Sequence, residues 1–98
     1  MAQSVNIDLV AKSIAFNKTS IAVPKSARVN VNFDNQDNGV PHNFAVYKTA
    51  EAKENFFKGD IIKGPSKITY VFTAPDTAGT YFFRCDVHPM MNGDFIVE

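Results

Sequence analysis

The chain has 98 residues, of which 45% are hydrophobic and 20% are charged, and its Lys plus Arg and Asp plus Glu totals are equal, so its net charge is zero. A chain of this length is expected to form one domain around a single core. The balanced charge argues against a nucleic-acid partner, which needs a concentrated basic surface. No apolar run approaches the roughly 20 residues of a membrane span.

The first part of the chain predicts short strands. Apolar and polar residues alternate over residues 5–9 and 29–33, which is the period-2 pattern of a strand that is buried on one face. Residues 20–23 predict a further short strand, closed by Pro24. The parity changes after the first of these strands, so we expect a bulge or a crossover near residues 11–13. Residues 35–39, Asn-Gln-Asp-Asn-Gly, are a dense turn signal.

The middle of the chain predicts one strand and one helix. In residues 42–47, His42 has the parity of the apolar positions, so it is expected to point inward at the opening end of a strand. Residues 50–58 predict the one short helix, because Thr49 can cap its start and Gly59 can end it. The helix is expected to lie across one side of the domain.

The last third predicts three more strands, over residues 68–72, 81–85 and 94–97. The whole pattern contains seven or eight short strands with turn signals about ten residues apart. It predicts an all-β fold: an antiparallel Greek-key β-sandwich with one short helix, formed by residues 1–98 as a single domain.

The segment 79–93 concentrates the metal-binding side chains. It holds the only cysteine, one of the two histidines and two of the three methionines. Cys85, His88 and Met91 follow a C-x2-H-x2-M pattern that lets a tight loop bring all three side chains to one point, and an inward His42 can supply a fourth. Each residue alone is more often an ordinary core or loop residue. Together they are the ligand set of a blue-copper electron-transfer site.

Other uses of these residues are less consistent with the sequence. Zinc accepts Cys and His, but a thioether is not among its usual protein ligands. A catalytic copper enzyme needs further histidines, and both of those present are already used. A Cys-His hydrolase would be expected to show a glycine-rich or acyl-binding signature, which is missing. A copper chaperone or storage protein remains open, because ligand identity does not separate carrying copper from carrying electrons.

Two segments resemble the ligand segments of one known family. N-x-D at residues 35–37 with P-H-N at residues 41–43 is similar to the first ligand segment of the cupredoxins. G-T-Y-x-F-x-C-x-x-H-P-x-M-x-G over residues 79–93 is similar to the second, and is highly specific. The chain therefore resembles the small type 1 copper proteins of the plastocyanin, amicyanin and pseudoazurin group, and its short ligand loop with a proline after His88 is most similar to amicyanin.

The resemblance implies a function and a set of roles. One copper ion per chain would cycle between Cu(I) and Cu(II), with His42, Cys85 and His88 as equatorial ligands and Met91 as the weak axial ligand. The family places its axial methionine two residues before a glycine, which Met91 satisfies and Met90 does not. Both histidines would bind through Nδ1, and Asn43 would tie the two ligand segments together. The protein would be an exported or periplasmic electron carrier rather than an enzyme.

A partner surface is also expected near His88. The residues flanking the two histidines are uncharged: Val40, Pro41, Val87, Pro89 and Met90. An exposed apolar patch of this kind tends to mark an interaction site. We therefore expect redox proteins to dock there with a monomer of this chain, with no nucleic acid and no membrane span involved.

Overall fold

The computed structural model describes residues 3–98, which form ten strands. Their bounds are β1 Ser4–Ala11, β2 Ser20–Val23, β3 Arg28–Asn35, β4 Pro41–His42, β5 Ala45–Tyr47, β6 Asn55–Lys58, β7 Ile62–Lys63, β8 Ser66–Thr73, β9 Gly79–Arg84 and β10 Asn92–Val97. The all-β sandwich predicted from the sequence is confirmed. The extra strands beyond the predicted seven or eight include the two-residue pair β4 and β7.

The strands form two main sheets that face each other. One has three strands in the order β1-β3-β8, and the other has five in the order β2-β10-β9-β5-β6. The small pair β4-β7 stands apart from both. Because β4 carries His42, this third pairing positions one of the predicted ligands.

The expectation of purely antiparallel pairing is wrong at two places. Strand β1 runs parallel to β3, and β2 runs parallel to β10. The reason is the path of the chain between layers: β1 lies in the three-stranded sheet, β2 in the five-stranded sheet and β3 again in the first. Two reversals of direction bring β3 back alongside β1 in the same orientation. The other strand pairs in the described residues are antiparallel.

The core lies between the two sheets and follows the predicted alternation. In β3, Val29, Val31 and Phe33 are buried, while the residues between them are less so. Phe83 of β9 and Phe95 of β10 meet them from the opposite sheet, and neither is exposed at all. Full burial of each such side chain stabilises the fold by about 1.5–3 kcal/mol.

The predicted helix over residues 50–58 is wrong. Its second half is strand β6, which pairs antiparallel with β5, and no residue of the described chain is helical. Ala52 has a φ of +56°, which is incompatible with a right-handed helix. Phe57 stacks on Phe72 of the core, with ring centroids 4.6 Å apart. A nine-residue helix has little stability of its own, so this packing decides the local structure.

Two smaller expectations are resolved at the ends of strands. The change of parity near residues 11–13 marks a tight turn, in which Lys12 pairs with Ala15 and Phe16 bridges back to Ala11. The chain then crosses to the other sheet at β2. The single strand predicted over residues 42–47 is divided into β4 and β5. Among residues 3–98, no helix is long and apolar enough to cross a membrane.

Candidate metal centre

The loop between β9 and β10 brings three predicted ligands to one end of the sandwich. Cys85 is the first residue after β9, and Met91 is the last before β10. The N–H of Cys85 donates to the carbonyl of Met91 at 2.9 Å, and the N–H of Met91 donates to the carbonyl of His88 at 2.8 Å. These two bonds close the loop tightly, and Pro89 lies in the turn between them. The loop geometry therefore comes from a short, local stretch of chain.

The second contribution comes from β4, as the inward parity of His42 predicted. His42 is completely buried, and so is Cys85. Nδ1 of His42 lies 3.6 Å from Sγ of Cys85, and Nδ1 of the half-buried His88 lies 3.9 Å from the same sulfur. Ligand atoms of His42, Cys85 and His88 all lie within 4.8 Å of one another. The structure thus brings together three of the four predicted ligands as donors to one centre.

The spacing of these donors matches a trigonal metal site. Metal–nitrogen and metal–sulfur bonds of roughly 2.0 and 2.3 Å at trigonal angles separate the nitrogen and sulfur by about 3.7 Å. The observed separations of 3.6 and 3.9 Å fall on either side of that value. A thiol also has a single hydrogen, so it cannot donate to two imidazole nitrogens at once. The group fits one copper ion, whose preferred mixed set is imidazole and thiolate.

The two methionines of the loop occupy opposite environments. Met91 is 3% exposed and belongs to the core cluster that includes Cys85, whereas Met90 is 81% exposed. Only Met91 lies on the buried side of the loop with the other predicted ligands. Met90 is an apolar side chain at the surface, as the sequence predicted.

Asn43 connects the two ligand segments, as the family resemblance implied. Its amide group donates to the Asp86 carboxylate at 3.1 Å and to the Gly59 carbonyl at 3.0 Å, and its Oδ1 accepts from the N–H of Asp86 at 2.7 Å. Asn43 is completely buried. Because Asn43 follows His42 and Asp86 follows Cys85, these bonds fix the position of His42 relative to Cys85.

The sequence did not reveal the rest of this network. The Asp86 carboxylate also accepts from the hydroxyl of Tyr47 and from Nε of Arg84, and the Arg84 guanidinium lies over the Tyr47 ring. Burial alone would raise the pKa of Asp86, but the hydrogen bonds from Tyr47, Asn43 and Arg84 outweigh it and lower that pKa. An ionised carboxylate is thus built in directly after Cys85. Nothing in the local spacing of these residues indicated the cluster.

Asp37 also contacts a predicted ligand, although the sequence placed it only within the first ligand segment. Its Oδ2 lies 2.7 Å from Nε2 of His42. A hydrogen bond from the N–H of Ile14 lowers the pKa of Asp37 most; burial opposes this shift, and bonds from His42 and Ser13 reinforce it. The carboxylate is therefore ionised at neutral pH, and an ionised carboxylate only accepts hydrogen bonds. Nε2 of His42 is therefore the donor in this hydrogen bond, and Nδ1 is the nitrogen that faces the sulfur.

The inner side of the site is apolar. Phe44 and Phe83 are both completely buried, with ring centroids 5.5 Å apart. Phe83 lies two residues before Cys85 on β9, and Phe44 lies two residues after His42. The apolar shell around a metal site controls its access to solvent and its local dielectric. Here it separates the ligand group from solvent on the side of the core.

Comparison with known proteins points to one family. The profile of the family described as the cupredoxin-like domain matches residues 1–97. A comparison with curated protein sequences gave no match.

Several solved structures share the fold over nearly the whole chain. Auracyanin from Roseiflexus castenholzii superposes with a TM-score of 0.85 at 22% identity, covering 99% of each chain. Auracyanin A from Chloroflexus aurantiacus, described as a blue copper protein, gives a TM-score of 0.84 at 24% identity, covering 97% of this chain and 99% of that one. Amicyanin from Paracoccus versutus gives 0.65 at 22% identity, covering 94% and 80%. The fold as a whole is thus more similar to these auracyanins than to this amicyanin.

Proposed function

The chain belongs to the cupredoxin-like domain family, and on that premise we propose that it is a mononuclear blue copper protein that carries single electrons between redox partners. The observation that carries the proposal is the pair of imidazole Nδ1 atoms that face one buried cysteine sulfur at 3.6 and 3.9 Å. His42, Cys85 and His88 would hold the ion, and Met91 would supply the weakest ligand, its thioether.

Copper would supply the one-electron couple Cu(I)/Cu(II), and the protein would keep the two states close in structure. Thiolate and thioether suit Cu(I) and imidazole suits Cu(II), so a mixed set serves both. The loop bonds at Cys85 and Met91 and the Asn43–Asp86 connection fix the segments that carry the ligands. A ligand set that does not need to move lowers the reorganisation cost of each transfer.

The electron would enter and leave through His88. His42 is completely buried, whereas His88 is half-buried and lies in the loop at the end of the sandwich. Met90 and Val87 beside it are exposed by 81% and 38%. This apolar surface supports brief docking of redox proteins, for which a small contact is sufficient. A net charge of zero is consistent with little long-range steering.

The remaining assignments rest on family resemblance. We propose a monomeric single-domain electron carrier, without enzymatic activity of its own, that acts in the periplasm or another exported compartment. Binding of nucleic acid is not part of this function. Support for a carrier rather than an enzyme comes from the two histidines of the chain, both of which belong to the one donor group.

The decisive experiment is addition of Cu(II) to the purified protein, followed by visible and electron paramagnetic resonance spectra. A thiolate ligand is expected to give an intense visible charge-transfer band, which Cys85→Ser removes while Met90→Ser, at the exposed position of the same loop, keeps it. A colourless wild-type Cu(II) complex contradicts the proposal. Tight Cu(I) binding by a protein that does not form a stable Cu(II) complex with that band would favour a copper chaperone or storage protein.

A further inference from the structure

The buried ligand His42 is supported from behind by a carboxylate. Its Nε2 lies 2.7 Å from Oδ2 of Asp37, whose side chain is 12% exposed against 0% for His42. The other imidazole of the donor group differs, because the described residues provide no hydrogen-bond acceptor for Nε2 of His88. The two histidines therefore have different environments, and only His42 is fixed through its outer nitrogen.

Asp37 itself is held by a strained turn. The N–H groups of Ser13 and Ile14 donate to its two carboxylate oxygens at 2.6 and 2.9 Å. Both residues have positive φ, 56° and 55°, between the paired backbone bonds of Lys12 and Ala15. A β-branched residue such as Ile14 is a genuine outlier in that region. Strained backbone of this kind persists where the surroundings impose it, and it clusters at functional sites.

The backbone of Asp37 is fixed from the other side as well. Its N–H donates to Oδ1 of Asn35 at 3.0 Å, and Asn35 is completely buried. The amide group of Asn35 in turn donates to the carbonyls of Val40 and Ile62, each at 2.9 Å. Ile62 is also the pairing partner of His42 between β4 and β7. The carboxylate and the imidazole are therefore held by one connected framework of hydrogen bonds.

A carboxylate in this position changes the tautomer, orientation and basicity of the imidazole that it contacts. Accepting the hydrogen of Nε2 fixes the tautomer and the ring orientation, and raises the basicity of Nδ1. A more basic nitrogen and a nearby negative charge both favour the more positive metal ion. On the premise of the proposed function, we propose that Asp37 is a positioning residue that orients His42 for metal binding. By favouring Cu(II), it lowers the reduction potential of the copper site.

The test uses Asp37→Asn with Asp34→Asn as its control. Asp34 lies three residues earlier, is half-buried and accepts from the side chain of Gln36 at 2.9 Å. The control removes the same charge near the site without touching a ligand. Loss of such an outer partner commonly reduces metal affinity about 10- to 100-fold. We expect Asp37→Asn to lose Cu(II) affinity in this range and to lose less Cu(I) affinity, as measured by competition titrations.

The reduction potential follows from that difference. Each tenfold loss of Cu(II) affinity relative to Cu(I) raises the reduction potential by about 59 mV. Voltammetry should therefore give a higher potential for Asp37→Asn than for Asp34→Asn. Equal potentials and affinities in the two variants overturn the proposal.

A second readout needs no copper. In the metal-free wild-type protein, nitrogen NMR should show His42 with hydrogen on Nε2 and a slowly exchanging signal, and Asp37→Asn should speed that exchange. Hydrogen on Nδ1, or rapid exchange in the wild type, overturns the proposal even if the variant does not fold. Because this measurement precedes any metal binding, its failure is distinct from failure of the copper function, which the visible spectrum reports.

Discussion

Asn43 and Asp86 bind each other through two hydrogen bonds across 43 positions of sequence. The Asn43 amide donates to the Asp86 carboxylate at 3.1 Å, and the Asp86 N–H donates back to the Asn43 carbonyl oxygen at 2.7 Å. Each residue directly follows a proposed ligand. The pair therefore connects the two ligand segments, and its contribution to stability should be measurable in the metal-free protein.

The first prediction concerns Asp86→Asn in the metal-free protein. Hydrogen bonds to a charged group contribute about 1.5–3 kcal/mol each, and three side chains donate to this carboxylate. We expect the free energy of unfolding in urea at pH 7 to fall by about 1–3 kcal/mol. Asp76→Asn is the control, because Asp76 is exposed and accepts from the neighbouring Thr77 hydroxyl. Equal losses for both variants would contradict the role of the network.

The contribution of Asp86 to the free energy of unfolding should decrease at low pH. The pKa of Asp86 is lowered in the folded protein, so its contribution to stability is present above the unfolded value of about 3.9. It is lost as the pH falls through the folded pKa. The gap in unfolding free energy between the wild type and Asp86→Asn should therefore narrow below about pH 4. A gap that stays constant from pH 7 to pH 3 would show that the charge of Asp86 is unimportant.

A second prediction distinguishes the two methionines. Met91→Gln should lower the reduction potential, because an oxygen donor favours Cu(II) more than a thioether does, and the axial ligand tunes the potential of such sites. The expected shift exceeds about 59 mV, which is a tenfold change in relative affinity. Met90→Gln should change the potential little, since Met90 is 81% exposed. The reverse order in voltammetry would place the axial donor at Met90.

A third prediction concerns the strained turn that holds Asp37. Ile14→Gly keeps the N–H that binds the carboxylate and removes the cost of a positive φ, which is about 1–2 kcal/mol for a residue with a Cβ. Ile61→Gly is the matched control, because Ile61 is also an exposed isoleucine but lacks a positive φ. Both variants gain the same chain entropy on unfolding. Ile14→Gly should be more stable than Ile61→Gly by about 1 kcal/mol in urea denaturation.

A fourth prediction locates the exit of the electron. Met90→Lys adds a charge to the apolar surface beside His88, so two molecules that meet through it repel each other. Two unit charges about 8 Å apart in water cost roughly 0.5 kcal/mol, which slows self-exchange about two- to threefold. Ala78→Lys adds the same charge just before β9, at the opposite end of the sandwich, and should have a much smaller effect.

NMR line broadening of mixed oxidised and reduced protein measures these rates. Added salt should restore the rate of Met90→Lys toward that of the wild type, because screening shortens the range of the repulsion. Equal rates for the two lysine variants would mean that the electron does not leave through the surface around His88.

The all-β fold and the grouping of His42, Cys85 and His88 could be predicted from neighbouring residues and a short motif. Period-2 alternation, as in β3, depends only on neighbouring residues, so it was visible without the tertiary structure. Cys85, His88 and Met91 lie within seven consecutive positions, and a loop that short leaves little freedom in how its side chains converge. His42 is buried as expected, but the single strand on which its predicted parity rested is divided, and residues 42–47 are all buried.

Other features were decided only when distant parts of the chain met. The strand β6 replaced the predicted helix because Phe57 packs on Phe72, a contact that no local propensity contains. The parallel pairs arose from the crossing of the chain between layers. The bonds of Asp37 to Ser13 and Ile14 span 24 and 23 positions. Such contacts form because the folded sheets bring segments that are distant in sequence side by side, and a pattern among neighbouring residues contains no information on that proximity.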